Sequence, residues 1–211
     1  MELQQEIAVV RWLAQSQLAS LVPRVLWTLE DTEYVAAVFS ELPGEMSFHG
    51  KYLIGAAYTA KLLGSGLRMI HSLPVTGCPA DMRLENRLLV AQDRLRNQEI
   101  DVVDFDDARK QTSPKELMEY LLAHKPASTE TAFTHGDFCL PNILIDHSGI
   151  SGFIDWGRSG VADIYQDIAL CVRSIVRNLG EQWIQTFSAS YGIAELDAEK
   201  VTYYQILDEF F

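Results

Sequence analysis

The chain has little positive charge. It carries 17 lysine and arginine residues against 29 aspartate and glutamate residues, which gives a formal net charge of −12 over 211 residues. Nucleic-acid binding needs a basic face, so this balance argues against a nucleic-acid partner. An acidic protein is better suited to a cationic ligand.

Paired cysteines and long apolar runs are also missing. The cysteines Cys78, Cys139 and Cys171 are odd in number and form no C-x-x-C pair, which is typical of free thiols in a reducing compartment. No apolar run approaches the length that crosses a bilayer, and the N-terminus lacks the pattern of a signal peptide. We therefore expect a soluble, cytoplasmic protein without a membrane partner, whose oligomeric state the sequence leaves open.

The composition is that of an ordinary globular protein. It is 48% hydrophobic and 22% charged, which fits one large domain or two packed lobes of the α+β class. Hydrophobic spacing predicts helices over 2–19, 50–72, 81–97, 114–125, 163–178, 180–191 and 197–209, and strands over 25–29, 34–39, 131–135, 143–145 and 150–154.

The most informative stretch covers residues 133–158, F-T-H-G-D-F-C-L-P-N-I-L-I-D-H-S-G-I-S-G-F-I-D-W-G-R. Two apolar runs joined by turn residues predict a β-hairpin. Asn142 stands at the entrance of the first run and Asp155 follows the second, so a hairpin would place them side by side. Asp137 would lie on the loop that feeds the same edge. Such oxygen-bearing side chains suit Mg²⁺, which takes one or two carboxylates together with substrate phosphates.

The spacing of these residues resembles that of a kinase. The motif H-G-D-x-x-x-x-N, His135 to Asn142, followed by D-W-G at 155–157, is similar to the kinase catalytic loop and its D-F-G segment. More narrowly, H-G-D-F-C-L-P-N, G-F-I-D-W-G-R-S-G-V-A-D, Y-Q-D-I-A-L and the terminal L-D-E-F-F resemble the aminoglycoside 3′-phosphotransferases, or kanamycin kinases. The resemblance covers essentially the whole chain, and its motifs are specific from about Thr134 onward.

The resemblance implies a fold and a reaction. The fold would be protein-kinase-like with two lobes: an incomplete small N-terminal lobe and hinge over 1–44, and a mainly helical catalytic and substrate-binding lobe over 45–211. The reaction would be ATP-dependent, Mg²⁺-assisted phosphorylation of the 3′-hydroxyl of aminoglycosides such as kanamycin, which confers antibiotic resistance.

The resemblance also assigns roles to residues. Asp137 would orient the attacking hydroxyl, Asn142 and Asp155 would hold Mg²⁺, and His135 and Arg158 would support them. The implied nucleotide contacts are Ser40, Leu42 and Glu6. The implied substrate contacts are Asp104, Asp107, Arg173, Asp208, Glu209 and Phe211.

The start of the family's pattern is not found. The family's chains begin with a glycine-rich loop and a strand that carries a lysine. This lysine pairs with a helix glutamate, which the resemblance places at Glu6, yet only five residues precede Glu6. Lys51 and Lys61 fall on a different predicted helix. We therefore expect a truncated N-terminal lobe with an unpaired strand edge, and an activity that this short form does not retain in full.

Alternatives remain open for the acidic segment and for the function. The acidic segment Glu99–Asp107 is either a solvated loop or a wall for a polycation, and Arg83, Arg87, Arg94 and Arg96 alternate with acids as a solvated, salt-bridged face would. The chain is an active enzyme, a catalytically impaired remnant (a pseudokinase), or a kinase of another small hydroxylated amine such as choline.

Overall fold

The computed structural model describes residues 2–211, and within them the chain is a mixture of helices and short strands. The helices are α1 (Glu2–Leu13), α2 (Gly50–Ile54), α3 (Ala56–His71), α4 (Leu84–Asn97), α5 (Pro114–Ala123), α6 (Tyr165–Asn178), α7 (Ile184–Tyr191) and α8 (Ala198–Asp208). The strands are β1 (Val25–Glu30), β2 (Val35–Phe39), β3 (Glu45–Met46), β4 (Thr131–Thr134), β5 (Ile143–Asp146), β6 (Gly149–Phe153) and β7 (Gly160–Asp163). The predicted α+β class is confirmed.

The strands form three small antiparallel sheets, β1–β2, β3–β5–β6 and β4–β7. The predicted hairpin is β5–β6, with Ile143 opposite Phe153 at its open end. A bulge leaves Ser151 without a partner, and the Ser151 hydroxyl donates to the carbonyl of Pro43 at 2.6 Å. The bulge therefore lets the hairpin form a hydrogen bond with the linker that follows β2 (residues 40–44).

Strand β7 was not predicted. It pairs with β4 from Thr131 opposite Asp163 to Thr134 opposite Gly160. Four residues are too few to show a period of two, and Asp163 was assigned to the following helix. Asp163 in fact ends β7, and its carboxylate accepts the N–H of Tyr165 at 2.9 Å, so it still marks the start of α6.

Two predicted helices differ in extent. The first ends at Leu13 rather than near residue 19, because the Ser16 hydroxyl donates to the Leu13 carbonyl and accepts the Leu18 N–H. The second, predicted over 50–72, is divided into α2 and α3 at Gly55.

The glycines inside α3 serve packing rather than a kink. The helix continues through Gly64, where a Cβ atom would collide with the carbonyl oxygen of Phe187. Glycine at this position therefore lets α3 and α7 approach closely, which is a tertiary role that the sequence pattern does not show.

One hydrophobic core runs from α1 to the C-terminus. Val9, Leu63, Phe133 and Phe210 all belong to it and are fully buried. The β1–β2 hairpin stays at the periphery, with half of Trp27 exposed. The division into lobes at residue 44 stays a prediction, and α1 shares the core of the larger part. None of the described helices is both long and apolar enough to span a bilayer.

Candidate active site

The loop after β4 is held by one buried carboxylate. Asp167, in the first turn of α6, accepts the N–H groups of His135 and Gly136, each at 2.7 Å. His71 lies 2.9 Å from the same carboxylate and 2.8 Å from the hydroxyl of Tyr191. Asp167 is not among the predicted site residues. No local motif links it to a loop about thirty residues earlier, so its positioning role emerges only from the fold.

Gly136 allows two segments of the site to touch. Its φ is +86°, and a Cβ atom there would collide with the carbonyl oxygen of Arg158. Only glycine fits this combination of left-handed backbone and close approach. The loop that carries Asp137 is thereby packed directly against the segment that follows Asp155.

His135 is a structural residue in a buried setting. Its Nε2–H donates to the carbonyl of Ile154 at 3.0 Å, and its ring lies 4.4 Å from that of Trp156. Burial lowers the pKa of His135, although Asp167, Asp137 and Asp155 act in the opposite direction. A neutral imidazole that fixes the loop agrees with the predicted supporting role.

The structure brings the three predicted polar residues to one edge of the hairpin. The Asn142 amide donates to the Asp137 carboxylate and to the Asp137 carbonyl, both at 3.0 Å. The N–H of Ile154 donates to the Asn142 carbonyl at 3.0 Å, which places Asp155 next to this pair. Asp155 adopts a left-handed φ of +65° and is exposed.

The donor set at this edge fits a hard cation. Because the Asn142 amide nitrogen faces Asp137, its oxygen is the atom left for a metal, and the Asp155 carboxylate accepts no hydrogen bond from residues 2–211. One amide and one carboxylate suit Mg²⁺ completed by substrate phosphates. In the described part of the chain, no set of three or more His, Cys, Asp or Glu side chains is arranged to hold a metal ion.

Glu6 lies beside the D-W-G segment. Its carboxylate accepts the N–H of Trp156 at 3.2 Å. Burial raises the pKa of Glu6 and the nearby Asp155 adds to this, while the hydrogen bond from Trp156 opposes it. Glu6 forms no ion pair with a lysine or arginine among the described residues. The predicted position of Glu6 therefore fits the site, and its cationic partner is not among residues 2–211.

The linker (residues 40–44) carries the two predicted nucleotide contacts Ser40 and Leu42. The Ser40 N–H donates to the Arg24 carbonyl at 2.8 Å and the Ser40 hydroxyl accepts the Arg24 N–H at 2.9 Å, whereas the Ser40 carbonyl accepts no hydrogen bond within residues 2–211. The nucleotide contact of Ser40 stays a prediction. The main chain of Leu42 makes no hydrogen bond within the described residues, and its side chain packs over Gly152.

A cavity of about 300 Å³ lies between the acidic segment, α4, α6 and the C-terminus. Its lining includes Arg158, which was predicted as a support of the catalytic cluster, and five of the predicted substrate contacts: Asp104, Arg173, Asp208, Glu209 and Phe211. It also includes six that were not predicted for it: Arg94, Ile100, Asp101, Phe105, Arg177 and Phe210. The predicted Asp107 is not part of this lining. The side chain of Asp107 is 91% exposed, and its carboxylate forms an ion pair with Lys110 at 2.6 Å. Asp107 therefore points to solvent and away from the cavity.

Two acids of the cavity, Asp208 and Glu209, are paired with arginines. Arg173 forms an ion pair with Asp208, and Arg109 Nε lies 2.7 Å from Glu209, whose side chain is only 3% exposed. Arg158 Nη2 donates to the main-chain oxygen of Phe211 at 2.8 Å. The sequence left the role of Arg158 open, and the structure directs its guanidinium to the C-terminal residue.

The predicted solvated, salt-bridged face of α4 is only partly correct. Arg83 pairs with Asp81 at the surface and Arg96 pairs with Asp93. Arg87, however, is buried on the apolar side of the helix together with Leu84, Leu88 and Ala91. Charge alternation along the sequence does not reveal that Arg87 occupies an apolar helical position.

Comparison with known proteins agrees with this geometry. Residues 1–203 match the Phosphotransferase enzyme family, APH. An aminoglycoside 3′-phosphotransferase of Niallia circulans is 38% identical over 210 residues, which cover 99% of this chain and 79% of the relative.

Two solved structures are similar over the same length. An aminoglycoside-3′-phosphotransferase of type VIII superposes with a TM-score of 0.87 at 30% identity, covering 100% of this chain and 80% of that one. The aminoglycoside phosphotransferase APH(3″)-Id from Streptomyces rimosus, in complex with ADP and streptomycin, superposes with a TM-score of 0.85 at 30% identity, covering 99% and 82%. The chain therefore belongs to the aminoglycoside 3′-phosphotransferase family of protein-kinase-like enzymes.

Proposed function

We propose that the chain transfers a phosphoryl group from ATP to the 3′-hydroxyl of an aminoglycoside such as kanamycin, and so confers resistance. The observation that carries the proposal is the junction at Gly136 and Arg158. The Arg158 main chain packs on the loop of Asp137, and its side chain reaches Phe211 in the cavity. A single residue, Arg158, therefore contacts both the loop of the proposed catalytic residue and the proposed binding cavity for a polycation.

Asp137 would orient the acceptor hydroxyl. Because the Asn142 amide holds one carboxylate oxygen of Asp137 at 3.0 Å, the other oxygen is left to accept the hydroxyl proton. Phosphoryl transfer proceeds through a loose transition state in which positioning matters more than a strong base. A fixed carboxylate at this place meets that need.

Asn142 and Asp155 would hold Mg²⁺, which when bound offsets the negative charge that spreads over the phosphate oxygens. The use of a nucleotide is supported by the ADP in the Streptomyces rimosus relative. In this chain, the main-chain groups of Leu42 make no hydrogen bond within residues 2–211, so they could bind the nucleotide base.

The cavity would bind the ammonium groups of the drug. Asp104, Asp208 and Phe211 line it, and arginines hold the Asp208 carboxylate and the main-chain oxygen of Phe211 in place. The choice of the 3′-hydroxyl is supported by the name of the Niallia circulans relative. The streptomycin bound to the Streptomyces rimosus relative supports aminoglycosides as the substrate class.

The proposal is tested by replacing Asp137. We expect Asp137→Ala to abolish ATP-dependent phosphorylation of kanamycin, while the matched surface variant Asp93→Ala retains it and both melt close to the wild type. A 3′-deoxy analogue of kanamycin should not be phosphorylated by any variant. Turnover that survives in Asp137→Ala would refute the role of Asp137, and turnover of the 3′-deoxy analogue would refute the choice of hydroxyl.

A second candidate function is favoured by Glu6, which has no cationic partner among the described residues. On this view the chain binds the drug without phosphorylating it, as an impaired remnant. Calorimetric binding of kanamycin without any turnover would support the remnant. Turnover of choline in place of kanamycin would instead favour a kinase of small amines.

A further inference from the structure

Arg87 presents a physical problem that the proposed reaction does not explain. Its side chain is 2% exposed, and its Nε, Nη1 and Nη2 atoms have no hydrogen-bond partner among the described residues. A buried charge without hydrogen bonds is among the most unfavourable features of a protein interior. Some other interaction must therefore offset its burial.

The partner of Arg87 is the ring of the C-terminal residue. The guanidinium carbon of Arg87 lies 3.9 Å from the ring centroid of Phe211, and that of Arg94 lies 5.8 Å from it. A desolvated guanidinium over an aromatic face is attracted by the negative face of the ring. The ring of Phe211 is thus held by two arginines of α4.

The main chain of Phe211 is held at the same time. Arg158 Nη2 donates to its main-chain oxygen at 2.8 Å and Arg94 Nη1 donates to it at 3.3 Å. Both arginines line the cavity, whereas Arg87 lies behind it. The ring of Phe211 is therefore held most closely by Arg87, while its main-chain oxygen is held by Arg158 and Arg94, two arginines that line the cavity.

Arg87 keeps its charge in this setting. Burial lowers the pKa of Arg87 to about 10, and the carboxylate of Asp208 limits the decrease, whereas Arg158 adds to it. The side chain is accordingly a cation at neutral pH, which the interaction with the ring requires.

We propose that Arg87 is a positioning residue, which holds the ring of Phe211 from behind so that its main-chain oxygen faces the substrate cavity. The inference rests on the proposed phosphorylation of an aminoglycoside. Arg87 does not touch the substrate. It acts through Phe211, so its loss affects binding of the drug and not the transfer step at Asp137.

The first test separates binding from turnover. Arg87→Met keeps an unbranched apolar stem and removes the charged guanidinium, and Arg96→Met is the control on the exposed side of the same helix. We expect Arg87→Met to raise KM for kanamycin about five- to tenfold with kcat within about twofold, and Arg96→Met to change neither. A wild-type KM in Arg87→Met, or an equal rise in Arg96→Met, overturns the proposal.

The second test asks whether Arg87 acts through the ring. Phe211→Leu keeps the main-chain oxygen and removes the aromatic face. We expect Phe211→Leu to raise KM, and the double variant to be no worse than Phe211→Leu alone. Independent, multiplying effects would mean that the two residues do not act together. Arg87→Lys, which retains a cation, should restore part of the loss seen in Arg87→Met, and no restoration counts against the interaction.

A third measurement does not depend on activity. With 4-fluorophenylalanine placed at position 211 of the full chain, the ¹⁹F resonance should shift in Arg87→Met and remain in place in Arg96→Met. An unchanged resonance in Arg87→Met overturns the proposal even in an active enzyme. A shifted resonance in a chain that does not phosphorylate kanamycin refutes the proposed function and leaves the contact between Arg87 and Phe211 supported.

Discussion

At the scale of single residues, Asp155 combines an unusual backbone with a functional position. It is one of two residues other than glycine with positive φ in residues 2–211, the other being Gln98. Asparagine also tolerates the left-handed region, because its short polar side chain forms local hydrogen bonds. The charge of Asp155 can therefore be removed without a change in backbone conformation.

We expect Asp155→Asn to lower the rate of kanamycin phosphorylation by about 100-fold or more, since preorganised charge at the phosphates is a large part of catalysis. The melting temperature should stay close to that of the wild type. Steady-state kinetics at several Mg²⁺ concentrations and a thermal melt measure the two effects. Wild-type kinetics in Asp155→Asn would remove Asp155 from the metal site.

His135 gives the stability a defined pH dependence. Burial lowers its pKa in the folded state below the ordinary value of 6.5. As pH falls below 6.5, the unfolded state therefore binds a proton before the folded state does. The free energy of unfolding is unaffected by His135 above that pH and decreases below it, by at most about 1.4 kcal/mol per pH unit.

Urea unfolding between pH 7 and pH 5.5 measures this slope. Replacing His135 with asparagine should reduce the slope, whereas replacing the exposed His124 in the same way should leave it unchanged. Equal slopes in the wild type and in His135→Asn would show that other groups cause the acid destabilisation.

At the scale of elements, the loop after β4 and the segment after β6 depend on each other through Gly136. Gly77 is a matched position, since its φ is also positive, at +75°, and its Cβ atom would meet nothing nearer than Trp12 Nε1 at 3.8 Å. A comparison of the two glycines separates the cost of the backbone conformation from the cost of the contact with Arg158.

We expect Gly77→Ala to lower the free energy of unfolding by about 1 kcal/mol, which is the usual strain of alanine at positive φ. Gly136→Ala should lower it by about 3 kcal/mol or more and also impair turnover, because the main chain of Arg158 must move. Urea unfolding of both variants provides the measurement. Equal losses would show that the loop can relax away from Arg158.

At the scale of the whole molecule, the net charge of −12 favours a cationic ligand, and two acids that line the cavity, Asp101 and Asp104, form no ion pair within residues 2–211. Exposed charges are screened by salt, so the affinity for kanamycin should decrease as ionic strength rises. The structure separates two acids of the same segment, because Asp104 lines the cavity and Asp107 points outward to Lys110.

We expect the Kd of kanamycin, measured by calorimetry without ATP, to rise about tenfold between 50 mM and 500 mM NaCl. Asp104→Asn should weaken both the binding and its dependence on salt, while Asp107→Asn should resemble the wild type. Binding that does not respond to salt, or a larger loss in Asp107→Asn, would contradict the assignment of the cavity.

The catalytic cluster was predictable because its information is local. Asp137, Asn142 and Asp155 lie within nineteen residues, and a hairpin of period two brings such residues together without help from the rest of the chain. The start of α5 at Pro114 was predictable for the same reason, because the capping box of Ser113 and Glu116 involves neighbours in the sequence.

Long-range partners decided the rest. Two features depend on segments that are distant in the sequence. One is the Asp167 carboxylate that holds the loop after β4, and the other is the close contact of Gly64 in α3 with α7. Arg87 is the clearest case, because its charge indicates a surface residue and only packing against Phe211 places it inside. The sequence by itself determined which polar groups meet at the edge of the hairpin, since their spacing is short; tertiary structure decided what holds them, since burial depends on the whole chain.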